Sequence, residues 1–182
     1  YDEWEIKNYD LGILDKTLEG LFRTGHFQGV ANIVDLLFQL IPATNAYFGQ
    51  KDLQQIAVIK RMVQIKGHSV KIIACDTIRE ESGLAMSSRN MRLSEKEKRD
   101  ALLIYHVLSE CKQQTNLSIN ELKTLVNQRF KEQGVLKLEY LDIVDADSFE
   151  PVEKRSADKN IAAVIAAYIG EVRLIDNMFL NR

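Results

Sequence analysis

Residues 44–75, TNAYFGQKDLQQIAVIKRMVQIKGHSVKIIAC, contain the pattern that decides the fold. An apolar segment at 44–48 ends at Gly49, and a β-branched apolar segment follows at 70–75, so both have the composition of buried strands. Between them the apolar residues recur at the spacing of one helix face: Leu53, Ile56, Ile59 and Val63. A strand, a helix and a second strand in this order predict a βαβ unit with parallel strands.

The flanking sequence predicts further helices and strands. An amphipathic helix precedes the βαβ unit, ends shortly before Pro42, and has these apolar residues at helical spacing: Val30, Ile33, Val34, Leu37 and Leu40. After the unit, two motifs with capping-box spacing begin consecutive helices at Ser94 and Ser118. A strand is then predicted at 136–140, and a hairpin is predicted from the apolar segments 161–168 and 172–179.

These elements predict an α/β fold in two domains. Residues 1–92 are expected to form part of a domain with a parallel sheet, and residues 93–182 a smaller α+β domain with an antiparallel sheet. The charged segment 147–160, which contains Pro151, is predicted to be a surface connection.

The composition argues against two classes of partner. The 182 residues include 24 Lys or Arg and 26 Asp or Glu, so the formal charge of −2 gives no basic field for nucleic acid or an anionic membrane. The longest apolar runs, such as 161–169, are much shorter than the ~20 residues of a membrane-spanning helix. Cys75 and Cys111 lie in no metal-ligand pattern, so we expect reduced, buried thiols and a soluble protein.

The first candidate site is YFGQKDLQQ, residues 47–55, where a predicted strand is followed by a helix. Ligands of open α/β sheets bind beyond the carboxyl ends of the strands, next to helix N-termini. Gly49 lets the backbone approach a ligand closely, and Lys51 suits a phosphate. Asp52 suits a ribose hydroxyl or a metal-bound water, and Gln55 offers a donor and an acceptor. The alternative interpretation is that Asp52 caps the helix and Lys51 is solvated.

The second candidate site is ESGLAMSSRN, residues 81–90, which follows the second predicted strand. Its backbone N–H groups, the hydroxyls of Ser87 and Ser88 and the forked guanidinium of Arg89 suit a polyphosphate. The alternative is a flexible polar linker, which explains Gly83 and the serines but not the apolar residues between them. The two loops are expected to converge on a single triphosphate, because both leave parallel strands at the same end.

Other polar residues give weaker indications. His26 could be a general base, but a lone His before a helix more often caps or packs, and His68 and His106 are predicted to be surface residues. The acidic pairs and runs are predicted to be solvated rather than metal sites: Glu80-Glu81 and 145–147.

Five motifs in order along the chain resemble those of the pantoate:β-alanine ligase family. They are LEGLFRTGHFQGV, YFGQKDLQQ, REESGLAMSSRN, LEYLDIVDAD and VRLIDN, at 18–30, 47–55, 79–90, 138–147 and 172–177. The resemblance implies a Rossmann-like nucleotidyltransferase fold in the first domain and a lid-like second domain. It also implies a cytoplasmic homodimer, and the small number of cysteines agrees with this compartment.

The family's reaction is an ATP-dependent condensation. ATP and pantoate give pantoyl adenylate and pyrophosphate, with Mg²⁺ screening the phosphates, and β-alanine then attacks the acyl carbon and releases AMP. The resemblance assigns ATP contacts to Gly49, Gln50, Lys51 and Asp52, with Mg²⁺ near Asp52, pantoate to Gln55, and adenine to the backbone of Ile78. Met86, Ser87, Ser88 and Arg89 resemble the KMSKS loop of class I aminoacyl-tRNA synthetases and would hold the triphosphate. The catalytic residues would be Lys51, Ser87, Ser88 and Arg89.

The chain departs from the family pattern at its start. The family has a His-x-Gly-His-type motif after its first strand, and this sequence has none. The first residues, YDEWEIK, also lack the pattern of a signal peptide, so we expect them to lie inside a longer protein. We therefore expect the 182-residue chain alone to have no measurable ligase activity, weak ATP affinity at best, and an open apolar sheet edge.

Two alternatives remain open at this point. The chain could come from another nucleotidyltransferase that adenylates a different small carboxylate, which ATP–pyrophosphate exchange with a panel of acids would reveal. It could also be a non-catalytic binding or oligomerisation module. In that case calorimetry with ATP and Mg²⁺ would show no binding heat that the substitution Arg89→Ala removes.

Overall fold

A computed structural model of the chain describes residues 5–156 and 158–181. Residues 1–4, which begin the stretch that we take not to be a signal peptide, lie outside the described residues. The chain divides into two compact units, Tyr1–Cys75 and Asp76–Arg182. Both the parallel and the antiparallel sheet that the sequence predicts are present, one in each unit.

The first unit contains the predicted βαβ pattern. Its elements are α1 (Glu19–Phe22), α2 (His26–Leu40), β1 (Asn45–Gly49), α3 (Leu53–Lys66) and β2 (Lys71–Cys75). β1 and β2 pair in parallel from Asn45 opposite Lys71 to Gly49 opposite Cys75. The two strands therefore end side by side, which confirms the predicted parallel pair. The thiol of Cys75 is free and exposed, so the prediction that both cysteines are buried is wrong for this one.

The apolar stripe that predicts α2 is not its buried face. Ile33, Leu37 and Leu40 are 47%, 46% and 69% exposed, whereas Asn32 and Asp35 are buried. The buried face combines Phe27 and Ala31 with Asn32 and Asp35, and the segment before α1 binds to its polar part through side-chain amides. Both backbone groups of Lys7 bond to the Asn32 amide at 2.8 Å. The pattern predicts the helix correctly but not the direction in which it faces.

The second unit begins its regular structure with two long helices. These are α4 (Glu95–Gln113) and α5 (Ile119–Gln133). Complete capping boxes formed by Ser94 with Glu97 and by Ser118 with Glu121 begin them, as the sequence predicts. Each serine accepts a hydrogen bond from the glutamate N–H, and each glutamate carboxylate accepts one from the serine N–H.

Three antiparallel strands form the sheet of the second unit, in the order β3 (Lys137–Asp145), β4 (Ile161–Ile169) and β5 (Val172–Phe179). β4 lies in the centre, and all but one of its residues are buried. Side chains of α4 and α5, such as Leu108 and Leu122, pack with β4 in one apolar core. The hairpin between β4 and β5 is confirmed by its register.

The division after Cys75 lies earlier in the chain than the boundary at residues 92/93 that the sequence predicts. Segment 76–92 belongs to the second unit because Arg79 binds the side chain of Asp176 and Arg89 binds the backbone of Arg173, both on β5. The sequence indicates the loop but gives no sign of these long-range bonds. The roles of the two units, nucleotide-binding and lid-like, stay predictions.

The connection between β3 and β4 is only partly a surface segment. Phe149 and Val152 are buried within it, and Val152 donates a backbone hydrogen bond to Ile143. The prediction of a surface connection at 147–160 is therefore wrong for these two side chains, and residue 157 lies outside the described residues. In the described parts of the chain, no helix is both long and apolar enough to span a bilayer.

Candidate functional site

The first candidate stretch lies where β1 is followed by α3. Gly49 ends the strand, a 3-10 turn covers Gln50–Asp52, and α3 begins at Leu53. The ammonium Nζ of Lys51 lies 3.4 Å from Oδ2 of Asp52. The Asp52 side chain is 44% exposed, whereas that of Lys51 is 18% exposed. The turn therefore holds a cation and an anion together next to the end of a parallel strand.

Asp52 stands at the N-cap position of α3 without capping it. Its side chain makes no capping hydrogen bond, and its backbone φ of −95° and ψ of 54° differ from those of the capping serines. The alternative interpretation, in which Asp52 is a cap and Lys51 is solvated, is wrong on both points. The carboxylate is directed to the ammonium group instead, on a side chain that is almost half exposed.

Gly49 is not required by the fold. Its φ is −66°, which any residue adopts, and a Cβ built on it meets no atom within 4 Å. The open space beside this backbone agrees with the expectation that a ligand approaches it closely.

An open cleft of about 610 Å³ lies beside the N-terminal half of α2. Its lining combines the amide of Gln55, the imidazole of His26 and the hydroxyl of Thr24 with apolar side chains of α2: Val30, Ile33 and Val34. The structure thus brings Gln55 and His26 to one cleft. His26 begins α2, and its ring centroid lies 5.2 Å from that of Phe27, so it both packs and lines the cleft.

Sequence reasoning missed the apolar wall of this cleft. Val30, Ile33 and Val34 are the residues that mark α2 as amphipathic, and a helical stripe is normally taken as core. The polar residues on the opposite face, Asn32 and Asp35, were the signal that the stripe could face outward. An amphipathic pattern alone does not decide this.

The second candidate stretch is an ordered turn rather than a flexible linker. Ser87 caps a 3-10 helix at Ser88–Arg92, and its Oγ accepts a hydrogen bond of 3.2 Å from the Arg89 N–H. Nη1 of Arg89 donates to the carbonyl of Arg173 at 3.3 Å. Ser88 is exposed, while Ser87 and Arg89 are half-buried. The stretch presents hydroxyl and guanidinium groups on a fixed backbone.

Two exposed apolar side chains stand beside this turn. Ile78 is 72% exposed and Met86 is 56% exposed, and the Met86 N–H donates to the Ile78 carbonyl at 2.9 Å. A backbone contact from Ile78 to a base would therefore use its N–H or the second lone pair of its carbonyl. Exposed apolar groups next to hydrogen-bonding backbone suit the faces and edge of a purine.

Asp35 is the strongest electrostatic feature of the first unit. Its buried carboxylate accepts from Tyr9 Oη at 2.6 Å and from Lys7 Nζ at 3.2 Å, and lies 2.6 Å from His68 Nε2. Burial by itself raises the pKa of Asp35, but the bonds from Tyr9, His68, Gln39 and Lys7 lower it well below its ordinary value. The prediction that His68 is a surface residue is wrong, since 17% of its side chain is exposed. His106 is exposed, as predicted.

The described residues contain no group of three or more His, Cys, Asp or Glu side chains that could hold a metal ion. Asp52 is the carboxylate beside the first candidate stretch, and one exposed carboxylate is what Mg²⁺ commonly uses when substrate phosphates supply other ligands. The donor set therefore fits a magnesium ion that arrives with a nucleotide, not a metal held by protein alone.

Each unit holds one of the two candidate stretches. Gly49 to Gln55 lie in the first unit, and Ile78 and Met86 to Arg89 lie in the second. The convergence of Lys51 and Ser88 on one triphosphate stays a prediction.

Comparison with known proteins gives the same result at three levels. The family model described as pantoate-beta-alanine ligase matches residues 5–179. A pantothenate synthetase of Cytophaga hutchinsonii is 48% identical over an alignment of 178 residues, and the match covers 94% of this chain and 62% of that protein. The crystal structure of pantothenate synthetase from Thermus thermophilus superposes with a TM-score of 0.88 at 35% identity, over 94% of this chain and 62% of that one.

A third similar structure carries ligands. It is a pantoate-beta-alanine ligase from Francisella tularensis complexed with beta-gamma ATP and beta-alanine, with a TM-score of 0.69 and 34% identity, over 93% of this chain and 56% of that one. The chain thus spans less than two thirds of the length of these relatives. The family match nevertheless covers nearly all of its own residues, and the chain belongs to the pantoate-beta-alanine ligase family.

Proposed function

We propose that this chain carries the pantoate pocket and the triphosphate-binding residues of an enzyme that condenses pantoate with β-alanine at the expense of ATP. The carrying observation is the cleft that joins the Gln55 amide to an apolar wall on α2. Family membership supports the overall reaction. The reaction proceeds through pantoyl adenylate and releases AMP and pyrophosphate.

The cleft suits a small branched hydroxy acid. Pantoate has two methyl groups on one carbon, and Val30, Ile33 and Val34 offer apolar surface for them. Its hydroxyl groups both donate and accept, and the amide of Gln55 does the same. In this arrangement the apolar wall contacts the methyl groups while Gln55 orients the hydroxyls.

The groups that act on ATP come from both candidate stretches. Attack of the pantoate carboxylate on the α-phosphorus builds negative charge on phosphate oxygens, which the ammonium of Lys51 and the guanidinium of Arg89 stabilise. The hydroxyls of Ser87 and Ser88 donate to the triphosphate, and the backbone of Gly49 and Gln50 approaches it. The backbone of Ile78 contacts adenine, with Met86 beside the ring.

Mg²⁺ accompanies ATP and neutralises part of the triphosphate charge. Asp52 is the residue that would face it, because its carboxylate is accessible and adjoins Lys51. The Asp52 carboxylate also limits the position of the Lys51 ammonium. The neutral amine of β-alanine then attacks the acyl carbon, the bond from that carbon to the AMP oxygen breaks, AMP leaves with the electron pair, and the nitrogen gives up one proton to solvent; the enzyme contributes by orienting the two reactants.

We propose that the 182-residue chain alone lacks measurable ligase activity. It spans 62% of the length of its Cytophaga hutchinsonii relative, and the sequence contains no His-x-Gly-His motif to stabilise the nucleotide. The complete enzyme would be a cytoplasmic homodimer. Leu37 and Leu40 of α2, which do not line the cleft, are exposed and support association with other protein surface, and light scattering would measure the state of the chain.

The experiment has two arms. The purified chain is given ATP, Mg²⁺, pantoate and labelled β-alanine, and we expect no labelled pantothenate. In the second arm the chain replaces the matching residues of the Cytophaga hutchinsonii relative, and we expect the chimera to form pantothenate. In the chimera, Lys51→Ala should lower kcat/KM roughly 100-fold, and Gln55→Ala should raise the KM for pantoate about tenfold.

Lys60→Ala is the matched control, because Lys60 lies on the exposed side of α3 and in neither candidate stretch. A folded chimera without activity would contradict the proposed function. Pyrophosphate exchange with another acid, but not with pantoate, would assign the chain to a different carboxylate-adenylating enzyme. Calorimetry of the chimera with ATP should show a binding heat that Arg89→Ala removes. If there is no such heat, the chain is a non-catalytic module.

A further inference from the structure

The nucleotide-facing turn of the second unit is preceded by a closed hairpin at residues 78–86. Arg79 and Ala85 form an antiparallel bridge. Three backbone hydrogen bonds of 2.8–2.9 Å hold the hairpin: Glu80 N–H to Leu84 O, Gly83 N–H to Glu80 O and Met86 N–H to Ile78 O. Ser87 is the next residue after the hairpin, so the orientation of the second hairpin strand fixes the start of the turn.

Arg79 ties the hairpin to β5 through both terminal nitrogens of its guanidinium group. Nη1 donates to Asp176 Oδ2 at 2.6 Å, and Nη2 donates to Asp176 Oδ1 at 3.0 Å. The same two nitrogens donate to the carbonyls of Gly83 at 3.1 Å and Asn177 at 3.4 Å. The Asp176 side chain is only 3% exposed, so this bidentate pair is shielded from water.

The tip of the hairpin is in close contact with Tyr105 of α4. The guanidinium carbon of Arg79 lies 5.0 Å from the ring centroid of Tyr105 on α4. A Cβ on Gly83 would lie 2.4 Å from that ring, and Gly83 has a φ of +99°. Only glycine fits there, so the hairpin occupies one position against Tyr105.

The other end of the turn is attached to the same strand. Arg89 donates to the carbonyl of Arg173, three positions before Asp176 on β5. Arg173 is itself paired with Glu139 of β3 at 2.5 Å, which holds this part of the sheet edge. Inside the turn, Nδ2 of the buried Asn90 donates to Glu80 Oε1 at 2.8 Å and to Ala85 O at 3.1 Å.

We propose that Arg79 and Asp176 are positioning residues for the nucleotide site: their bidentate pair fixes the turn at 84–90, and thereby the groups of Ser87, Ser88 and Arg89. Neither residue needs to touch the nucleotide. The part of this inference that concerns nucleotide rests on the proposed function, whereas the part that concerns the turn stands on the contacts alone. A point charge at position 79 would not suffice, because the pair uses two parallel N–H donors.

The experiment compares Arg79→Lys and Asp176→Asn with the control Asp142→Asn in the 182-residue chain. Asp142 is also a paired aspartate of the same sheet: it pairs with Lys123 at 2.7 Å, and its Oδ1 accepts from the N–H of the following residue, as that of Asp176 does. Its side chain is 25% exposed, whereas that of Asp176 is 3% exposed. Hydrogen exchange of the amides at 84–90 should become about tenfold faster in both test variants. The control should leave this segment unchanged, and exchange in α5 should not change in either test variant.

Arg79→Lys keeps the positive charge beside Asp176, so it tests the bidentate geometry without leaving a buried carboxylate unpaired. If Asp176→Asn fails to fold, Arg79→Lys decides the matter alone, because it changes the geometry of the pair and keeps its charges. Unchanged exchange at 84–90 in Arg79→Lys would overturn the proposal. Equal acceleration at 84–90 and throughout α5 would do so as well, because it would mean general destabilisation.

Calorimetry with ATP and Mg²⁺ on the same proteins tests the link to function. We expect Arg79→Lys to weaken nucleotide affinity roughly tenfold or more at unchanged thermal stability, as misplacement of binding groups does, while Asp142→Asn binds as the parent chain does. Faster exchange with unchanged affinity would overturn the nucleotide part of the inference. If the parent chain shows no nucleotide binding in this assay, the chimera, with the same substitutions, gives the affinity comparison, and the exchange result decides the structural part independently.

Discussion

At the scale of single residues, Asp35 shows why a buried charge can be more informative than a motif. It is 1% exposed, and the groups that surround it come from widely separated positions: Lys7, Tyr9 and His68. No spacing rule relates residues 26 or more positions apart, so sequence reasoning placed His68 at the surface. The cluster joins the segment before α1, helix α2 and the turn before β2.

Asp35→Asn should lower the free energy of unfolding of the first unit by about 3 kcal/mol at neutral pH, because it breaks a buried pair. The pKa of Asp35 is lower in the folded chain than in the unfolded one, so its stabilisation is complete above the unfolded pKa and is lost as the pH falls. The difference between parent and variant should therefore shrink below about pH 4. Urea unfolding, followed by NMR signals of α2, measures it.

Asp10→Asn is the control, because Asp10 is exposed and lies in the same segment. It should have little effect on stability at any pH. A deficit in Asp35→Asn that stays constant down to about pH 3 would show that the charge of this carboxylate contributes nothing.

At the scale of helices and strands, the sequence predicts well which segments form an element and whether that element is a helix or a strand. The capping boxes at Ser94 and Ser118 place the starts of α4 and α5 because the signal is local and complete within four residues. Strand pairing of β1 with β2 follows from the βαβ order. Orientation is harder: α2 has an apolar stripe and a polar stripe, and which one is buried depends on the distant residues that bind it.

A pair of substitutions on α2 tests this orientation. Asn32→Ala should cost about 2 kcal/mol, because the amide satisfies both backbone groups of Lys7 in a buried place. Leu37→Gln, on the stripe that a pattern would assign to the core, should change stability by less than about 0.5 kcal/mol. Thermal unfolding measures the stability of both variants. A larger loss of stability in Leu37→Gln than in Asn32→Ala would contradict the observed orientation.

At the scale of the whole molecule, each of the two units holds one of the candidate stretches. Sequence motifs point to Lys51 and to the turn at 87–89 as candidate positions, since glycine, serine and charged residues cluster there, and their ligand contacts stay predictions. They do not reveal the cleft beside Gln55, whose wall is apolar, or the attachment of the turn to β5, which joins residues 97 positions apart. Polar and charged residue types can be recognised in the sequence, whereas the cleft and the long-range contacts depend on the folded structure.

The two cysteines report on the two units separately. Cys75 is exposed at the end of β2, whereas Cys111 is buried in α4, where burial raises its pKa to about 11. An alkylating reagent at neutral pH should therefore modify Cys75 quickly and Cys111 only when the second unit opens. Mass spectrometry of peptides after timed labelling measures both rates. Equal rates in the folded chain would contradict the burial of Cys111.

The burial of β4 has a consequence for how the chain is made. Residues 161–169, IAAVIAAYI, carry no charge and no proline, so this segment would favour intermolecular β-pairing if it stayed uncovered. During synthesis, however, α4, α5 and β3 leave the ribosome before it, and β5 follows after a two-residue turn. β4 therefore leaves the ribosome after α4, α5 and β3, with which it packs or pairs, have already been translated. This order shortens the time in which β4 of nascent chains could form intermolecular pairs.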